Sequence, residues 1–115
     1  MQLFRILLAG LTAVLSFLML PLPARATDDS AQIYKARCAA CHGVNGLANT
    51  PMARKQNISS FTSAAVHKKS IEELSDCILY GGKERRASHT FATKGMSTQQ
   101  GVSLAAYIKQ LGRRK

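Results

Sequence analysis

The chain has 115 residues, a formal net charge of +10 and three cysteines. This length is enough for one small domain, and three cysteines do not supply the disulfide framework that stabilises some domains of this size. The positive charge favours anionic partners, but nucleic acid is disfavoured because no nucleic-acid-binding motif accompanies the charge.

The N-terminal segment has the features of an export signal. Arg5 precedes an apolar run over residues 6–20, and Ala24 and Ala26 form an A-x-A cleavage site. The run is shorter than the roughly 20 residues of a bilayer crossing, although an uncleaved anchor is the alternative. We therefore predict a signal peptide over residues 1–26, a mature domain over residues 27–115 with a charge of +8, and a periplasmic location.

The first helix of the mature domain is predicted from its N-terminal residues. Asp28, Asp29 and Ser30 supply helix caps and negative charge, and the helix is expected to run to Cys41. Glycines follow it, so residues 44–52 are predicted to form a loop. Residues 54–63 are polar, lack periodicity and are also assigned to a loop.

Cys38, Cys41 and His42 form the pattern CxxCH. This pattern attaches a c-type haem, with two thioether bonds to the porphyrin and the histidine on the iron. A zinc site would need a second Cys/His pair at ligand spacing, and a thioredoxin-type pair would need βαβ patterning. The sequence has neither, so we expect one covalently bound haem c.

Two further helices are predicted in the second half of the chain. Ser70 caps a helix over residues 71–80, which ends at Gly81, and Ser97 starts a last helix with an apolar face at helical spacing. Met96 is the apolar residue just before that cap. Residues 83–95 form a basic loop. The pattern indicates an all-α domain with three main helices and long loops.

These features together resemble a class I c-type cytochrome over nearly all of the mature domain. The resemblance is carried by the stretch CAACHG at residues 38–43, by Tyr34 and by the closing stretch LAAYI at residues 104–108. It implies the cytochrome c fold, in which Tyr34 on the first helix packs near Leu104 and Tyr107 on the last. It also implies a non-enzymatic electron carrier.

The resemblance also guides the choice of axial ligands. His42 is the proximal ligand, and the family usually places its distal methionine in a Met-Pro-x-Phe stretch. Counting back from the LAAYI stretch without gaps puts His89 at that position, whereas Met96 falls on the residue that begins the last helix. We therefore predict His42 and His89 as axial ligands, with Met96 as the alternative distal ligand. Met52, His67 and Cys77 are further candidates.

Two residues near the expected site have more than one interpretation. In the family, a proline carbonyl usually accepts a hydrogen bond from the proximal histidine; Pro51 takes that role by resemblance, or it is a simple turn residue. Cys77 lies on the inward face of its helix and is predicted to be a buried thiol, with an intermolecular disulfide or iron ligation as alternatives.

Lys83, Arg85, Arg86 and Lys94 lie on both sides of His89 in the sequence. This arrangement predicts a positive surface near the haem edge that docks acidic redox partners, with the membrane as no more than a peripheral contact. The main hypothesis is a periplasmic carrier of single electrons. The alternatives are a haem enzyme or gas sensor with a displaceable distal ligand, or the cytochrome subunit of a larger oxidoreductase.

Overall fold

A computed structural model describes residues 29–114, which contain six α-helices, two short 3₁₀ helices and no strand. The predicted signal peptide lies outside these residues. None of the described helices combines the length and apolar character needed to cross a bilayer. The all-α prediction with three main helices is confirmed. The α-helices are α1 (Ser30–Arg37), α2 (Ala39–His42), α3 (Pro51–Lys55), α4 (Ala64–His67), α5 (Ile71–Tyr80) and α6 (Thr98–Arg113), and the 3₁₀ helices are Ala87–His89 and Phe91–Lys94.

The first predicted helix is interrupted at Cys38, where φ is −121° and ψ is −37°. The chain continues in helical hydrogen bonding, because the amide of Cys38 donates to Tyr34 and the amide of His42 donates to Cys38, each over 2.9 Å. Asp29 is the N-cap residue of α1, and its carboxylate accepts a bond of 3.4 Å from Gln100 on α6. The start of the first helix is thereby tied to the last.

Helices α5 and α6 begin with capping boxes, as their sequences indicate. The hydroxyl of Ser70 accepts from the amide of Glu73 over 3.1 Å, and the Glu73 carboxylate accepts from the amide of Ser70 over 2.8 Å. Ser97 and Gln100 make the same reciprocal pair at the start of α6. The predicted bounds of α5 are confirmed, and α6 starts directly after the predicted cap.

The most extensive helix pairing is between α5 and α6. It depends on Gly101, because a Cβ atom built at that position would lie 2.7 Å from the side chain of Leu79. The close approach of the two helices buries Leu79 and Leu104 almost completely. The remaining core is built from aromatic and aliphatic side chains of four helices and the connecting loops: Tyr34, Ala39, Phe61, Leu74, Ile78, Met96, Ala105, Ile108 and Leu111.

Tyr34 joins the first helix to the last, as the resemblance implied. Its ring centroid lies 5.5 Å from that of Tyr107, and its side chain is buried in the same core as Leu104. Its hydroxyl donates a hydrogen bond of 2.6 Å to the carbonyl of Gly43, directly after the CxxCH stretch. Burial raises the pKa of Tyr34, so the hydroxyl keeps its donor proton.

Short helices replace parts of the predicted loops. Thr50 caps α3, and Pro51 occupies its first position, which favours a proline because no backbone donor is needed there. The prediction of a loop was therefore wrong at Pro51–Lys55. The basic segment of residues 83–95 was also predicted to be a loop, but it contains the two 3₁₀ helices. Elements of three to five residues bury too few side chains to leave a periodic pattern.

Candidate haem-binding site

Cys38 and Cys41 are held one turn apart at the junction of α1 and α2. The amide of Cys41 donates to the carbonyl of Cys38 over 3.2 Å. The carbonyl of Cys41 accepts a bond of 2.6 Å from the Thr50 hydroxyl, which in turn accepts from the amide of Ala53 over 3.0 Å. Thr50 thus fixes α3 against the segment that carries the two thiols.

The two thiols are half-buried and form no disulfide. Burial raises the pKa of Cys38 to about 11, with a smaller contribution from Cys41, although the nearby Arg37 guanidinium lowers it. At neutral pH the Cys38 sulfur is therefore a protonated thiol. Two half-buried thiols beside a histidine provide the donor set that a c-type haem requires.

His42 follows Cys41 at the end of α2, and its ring packs against Phe61. The two ring centroids are 4.8 Å apart, with 28° between the planes. Burial lowers the pKa of His42 to about 4, and the nearby His89 lowers it further. The imidazole is consequently neutral at pH 7, which is the form that binds a metal ion.

Phe61 was not predicted as a site residue, yet its ring packs against that of His42. Its ring lies over Gly46, where a Cβ atom would come within 2.5 Å of it, and Gly46 has a φ of +73°. The amide of Phe61 donates to the carbonyl of Gly46 over 2.9 Å. The ring centroid of Tyr34 is 6.1 Å from that of Phe61. Phe61 is the single aromatic residue in the polar stretch of residues 54–63, and this was the available signal in the sequence.

His89 ends the first 3₁₀ helix, and its ring lies near that of His42. Their centroids are 5.9 Å apart, and the two planes differ by 18°. Burial is the main cause of the lowered pKa of His89, and the charges of Arg86 and Lys94 lower it further. The structure therefore brings together the two histidines that the sequence analysis predicted as axial ligands.

The spacing of these rings can be compared with the requirements of a metal. An imidazole nitrogen binds a metal at about 2 Å. The rings of His42 and His89, with centroids 5.9 Å apart, are close enough for both to bind one metal ion. The residues present therefore fit an iron porphyrin attached at Cys38 and Cys41.

The alternative distal ligands lie in other surroundings. Met96 is buried in the hydrophobic core and lines a cavity of about 80 Å³ with Ile33 and Gln100. The ring of His67 is exposed, and its Nε2 atom lies 3.2 Å from the carbonyl of Gly112. Met52 is exposed as well, and its sulfur accepts a hydrogen bond of 3.1 Å from the side-chain amide of Gln56.

The predicted hydrogen bond between Pro51 and His42 is not made. The Nδ1 atom of His42 is buried and has no hydrogen-bond partner among residues 29–114. Pro51 instead begins α3, the structural role described above. The orientation of His42 therefore depends on ring packing against Phe61 rather than on a hydrogen bond.

An all-α fold in which the first and last helices pack together, with a CxxCH segment directly after the first, is typical of the class of c-type cytochromes. The family model described as Cytochrome c matches residues 28–112, and the chain belongs to this family. No curated protein and no solved structure matches the chain significantly. Family membership implies haem c as cofactor and supports the function of a haem-based electron carrier.

Proposed function

We propose that the chain is an exported, periplasmic carrier of single electrons with one haem c. The haem is bonded to Cys38 and Cys41, and its iron is ligated by His42 and His89. The observation that carries this proposal is the pair of imidazoles of His42 and His89, whose ring centroids are 5.9 Å apart, with His42 directly after the unpaired thiols of Cys38 and Cys41. His42 and His89 would both be ligands supplied by the chain, and this would leave no place for a substrate at the metal.

The haem supplies a single iron that alternates between the ferric and ferrous states. The residues of the chain hold it and set its properties. Cys38 and Cys41 provide the sulfur atoms for the two thioether bonds, and Phe61 keeps the ring of His42 in a fixed orientation. Because an imidazole favours the ferrous state less than a thioether does, we expect a lower reduction potential than in carriers with a His/Met pair.

Covalent attachment and export are tested together by mass spectrometry of the denatured protein from a periplasmic fraction. We expect one haem of added mass on a chain that begins at Thr27. The variant Cys38→Ser should keep at most one thioether bond, whereas Cys77→Ser should keep both. A denatured wild-type chain with the mass of the bare polypeptide contradicts the proposal.

The distal ligand is tested by comparing two histidine substitutions. His89→Ala should convert the low-spin ferric absorption spectrum into a high-spin one. His67→Ala is the matched control, because His67 is exposed and its ring contacts the carbonyl of Gly112. An unchanged low-spin spectrum in His89→Ala contradicts ligation by His89.

The proposed partner is a protein with an acidic docking surface. A cluster of exposed cations lies around the segment that carries His89, and we name it the distal basic surface. Arg37 on α1 joins it by donating to the carbonyl of Lys94 over 3.4 Å. The Lys94 ammonium lies 4.9 Å from the centroid of the Phe91 ring, next to His89. The distal basic surface consists of Arg37, Lys83, Arg85, Arg86 and Lys94.

The charge of this surface is tested with two small redox reagents of opposite sign. Oxidation by hexacyanoferrate(III) should slow as salt rises, whereas oxidation by a cationic cobalt complex should accelerate. Lys94→Gln and Arg85→Gln should each slow the anionic reaction at low salt by about twofold. Arg113→Gln, at the end of α6, is the control. Equal salt dependence for both reagents contradicts a positive surface at the haem edge.

A haem enzyme or gas sensor is the second candidate, favoured by the position of His89 on a three-residue 3₁₀ helix. Carbon monoxide or cyanide should bind slowly to a carrier whose distal ligand stays in place. Rapid binding at neutral pH supports the second candidate and contradicts a permanently ligated carrier.

A further inference from the structure

Cys77 lies in the last turn and a half of α5 and faces the segment that carries His89. Its sulfur is 3.6 Å from the Nδ1 atom of His89. The side chain is half-buried, rather than fully buried as its sequence position predicted. Cys77 forms no disulfide with another cysteine among residues 29–114.

The turn after α5 produces this contact. Gly81 ends the helix in the left-handed conformation, and its carbonyl accepts from the amide of Arg86 over 3.1 Å. A Cβ atom at Gly81 would lie 2.5 Å from that amide nitrogen, so only glycine allows the chain to return this closely. His89 follows Arg86 and accordingly lies beside the last turns of α5.

Ligation of a metal by His89 would decide which of the two atoms in this contact donates the hydrogen bond. His89 has Nδ1 beside the sulfur, which leaves Nε2 for the metal. A neutral imidazole bound through Nε2 carries its proton on Nδ1 and needs an acceptor for it. The thiol sulfur is a weak acceptor that can fill this role.

The two histidines differ in this respect. Nδ1 of His42 has no hydrogen-bond partner among the described residues, and its ring is held by Phe61. Nδ1 of His89 has the sulfur of Cys77.

We propose that Cys77 is a positioning residue for the distal ligand: its sulfur accepts the Nδ1 proton of His89 and keeps Nε2 directed at the haem iron. This role rests on the proposed ligation by His89. It requires no bond between Cys77 and the iron, and it assigns a role in the site to the third cysteine.

The test uses added imidazole as a competitor of His89 in the ferric holoprotein. Cys77→Val removes the acceptor and has a side chain of similar volume, and Cys77→Ala removes both the acceptor and the volume. Each should raise the apparent affinity for imidazole by about three- to tenfold, because the distal ligand loses a hydrogen bond. Cys77→Ser should stay within about twofold of wild type, since a hydroxyl is a stronger acceptor that offsets its shorter reach.

The outcomes separate this proposal from the one it rests on. Unchanged imidazole affinity in both Cys77→Val and Cys77→Ala overturns the positioning role, and so does an equal increase in Cys77→Val and Cys77→Ser. If His89→Ala binds imidazole no more tightly than wild type, His89 is not the ligand, and the proposed function is wrong on that point. Low-temperature electron paramagnetic resonance supplies a second readout: the g values should shift in Cys77→Val and return toward wild type in Cys77→Ser.

Discussion

The two sides of the candidate haem site are built differently. The proximal side, formed by His42, Phe61, Gly46 and Tyr34, is an interlocked set of rings and close backbone contacts. The distal side carries His89 at the end of a short 3₁₀ helix. The six residues that precede His89 in the chain, residues 83–88, are exposed. His42 is fixed by dense packing, and His89 is held by a few contacts.

This difference in packing suggests that the two sides contribute unequally to the folding stability of the domain. Buried packing on the proximal side contributes most to folding stability, because each ring removes a large apolar area from water. The distal side should contribute less to stability, and in the proposed function it serves ligand exchange, potential and docking. Matched substitutions on the two sides should therefore have unequal effects on the free energy of unfolding.

The largest difference is expected for the two phenylalanines. Phe61→Ala should lower the free energy of unfolding of the holoprotein by about 3–4 kcal/mol, because Phe61 is buried and supports the ring of His42. Phe91→Ala on the distal side should cost about 1–2 kcal/mol, because Phe91 is only half-buried. Denaturant unfolding followed by the haem absorbance measures both. Equal losses would remove the distinction between the two sides.

A smaller difference is expected for two glycines with positive φ. Gly46→Ala combines backbone strain at φ +73° with a contact of 2.5 Å to the Phe61 ring, so we expect a loss of about 2–3 kcal/mol. Gly95→Ala has a φ of +86° and no atom within 4 Å of the new Cβ, so strain alone should cost about 1 kcal/mol. The same unfolding experiment checks this pair, and equal costs would show that the Phe61 ring yields to the added methyl.

The smallest effect concerns one hydroxyl group. Tyr34→Phe removes the donor to the carbonyl of Gly43 and should lower the free energy of unfolding by about 1 kcal/mol. Tyr80→Phe removes the same group from a side chain that is 56% exposed and should change stability little. A Tyr34→Phe variant as stable as wild type would show that the Gly43 carbonyl finds another donor, such as water.

Local signals in the sequence predicted the main helices well. Ser70 with Glu73 and Ser97 with Gln100 form capping boxes within four residues, so the starts of α5 and α6 depend on neighbouring residues alone. Gly81 ends α5 for an equally local reason. The short α3 and α4 lack an amphipathic period and were missed, because their formation depends on Thr50 and on neighbouring packed elements.

The site residues proposed from the sequence are those whose chemistry depends on spacing along the chain. Cys38, Cys41 and His42 are close in sequence, and His89 was selected by its distance from the last helix. Phe61 and Cys77 contact these histidines across long sequence separations. Their roles follow from Gly46 and Gly81, which let distant segments approach, and no local pattern reveals such contacts.

The most direct measurement for the account is near-infrared magnetic circular dichroism of the ferric wild-type protein, together with its far-red absorption. The account predicts the charge-transfer band of a bis-imidazole haem and no methionine–iron band in the far red. A far-red methionine band that disappears in Met96→Leu would contradict the axial pair of His42 and His89.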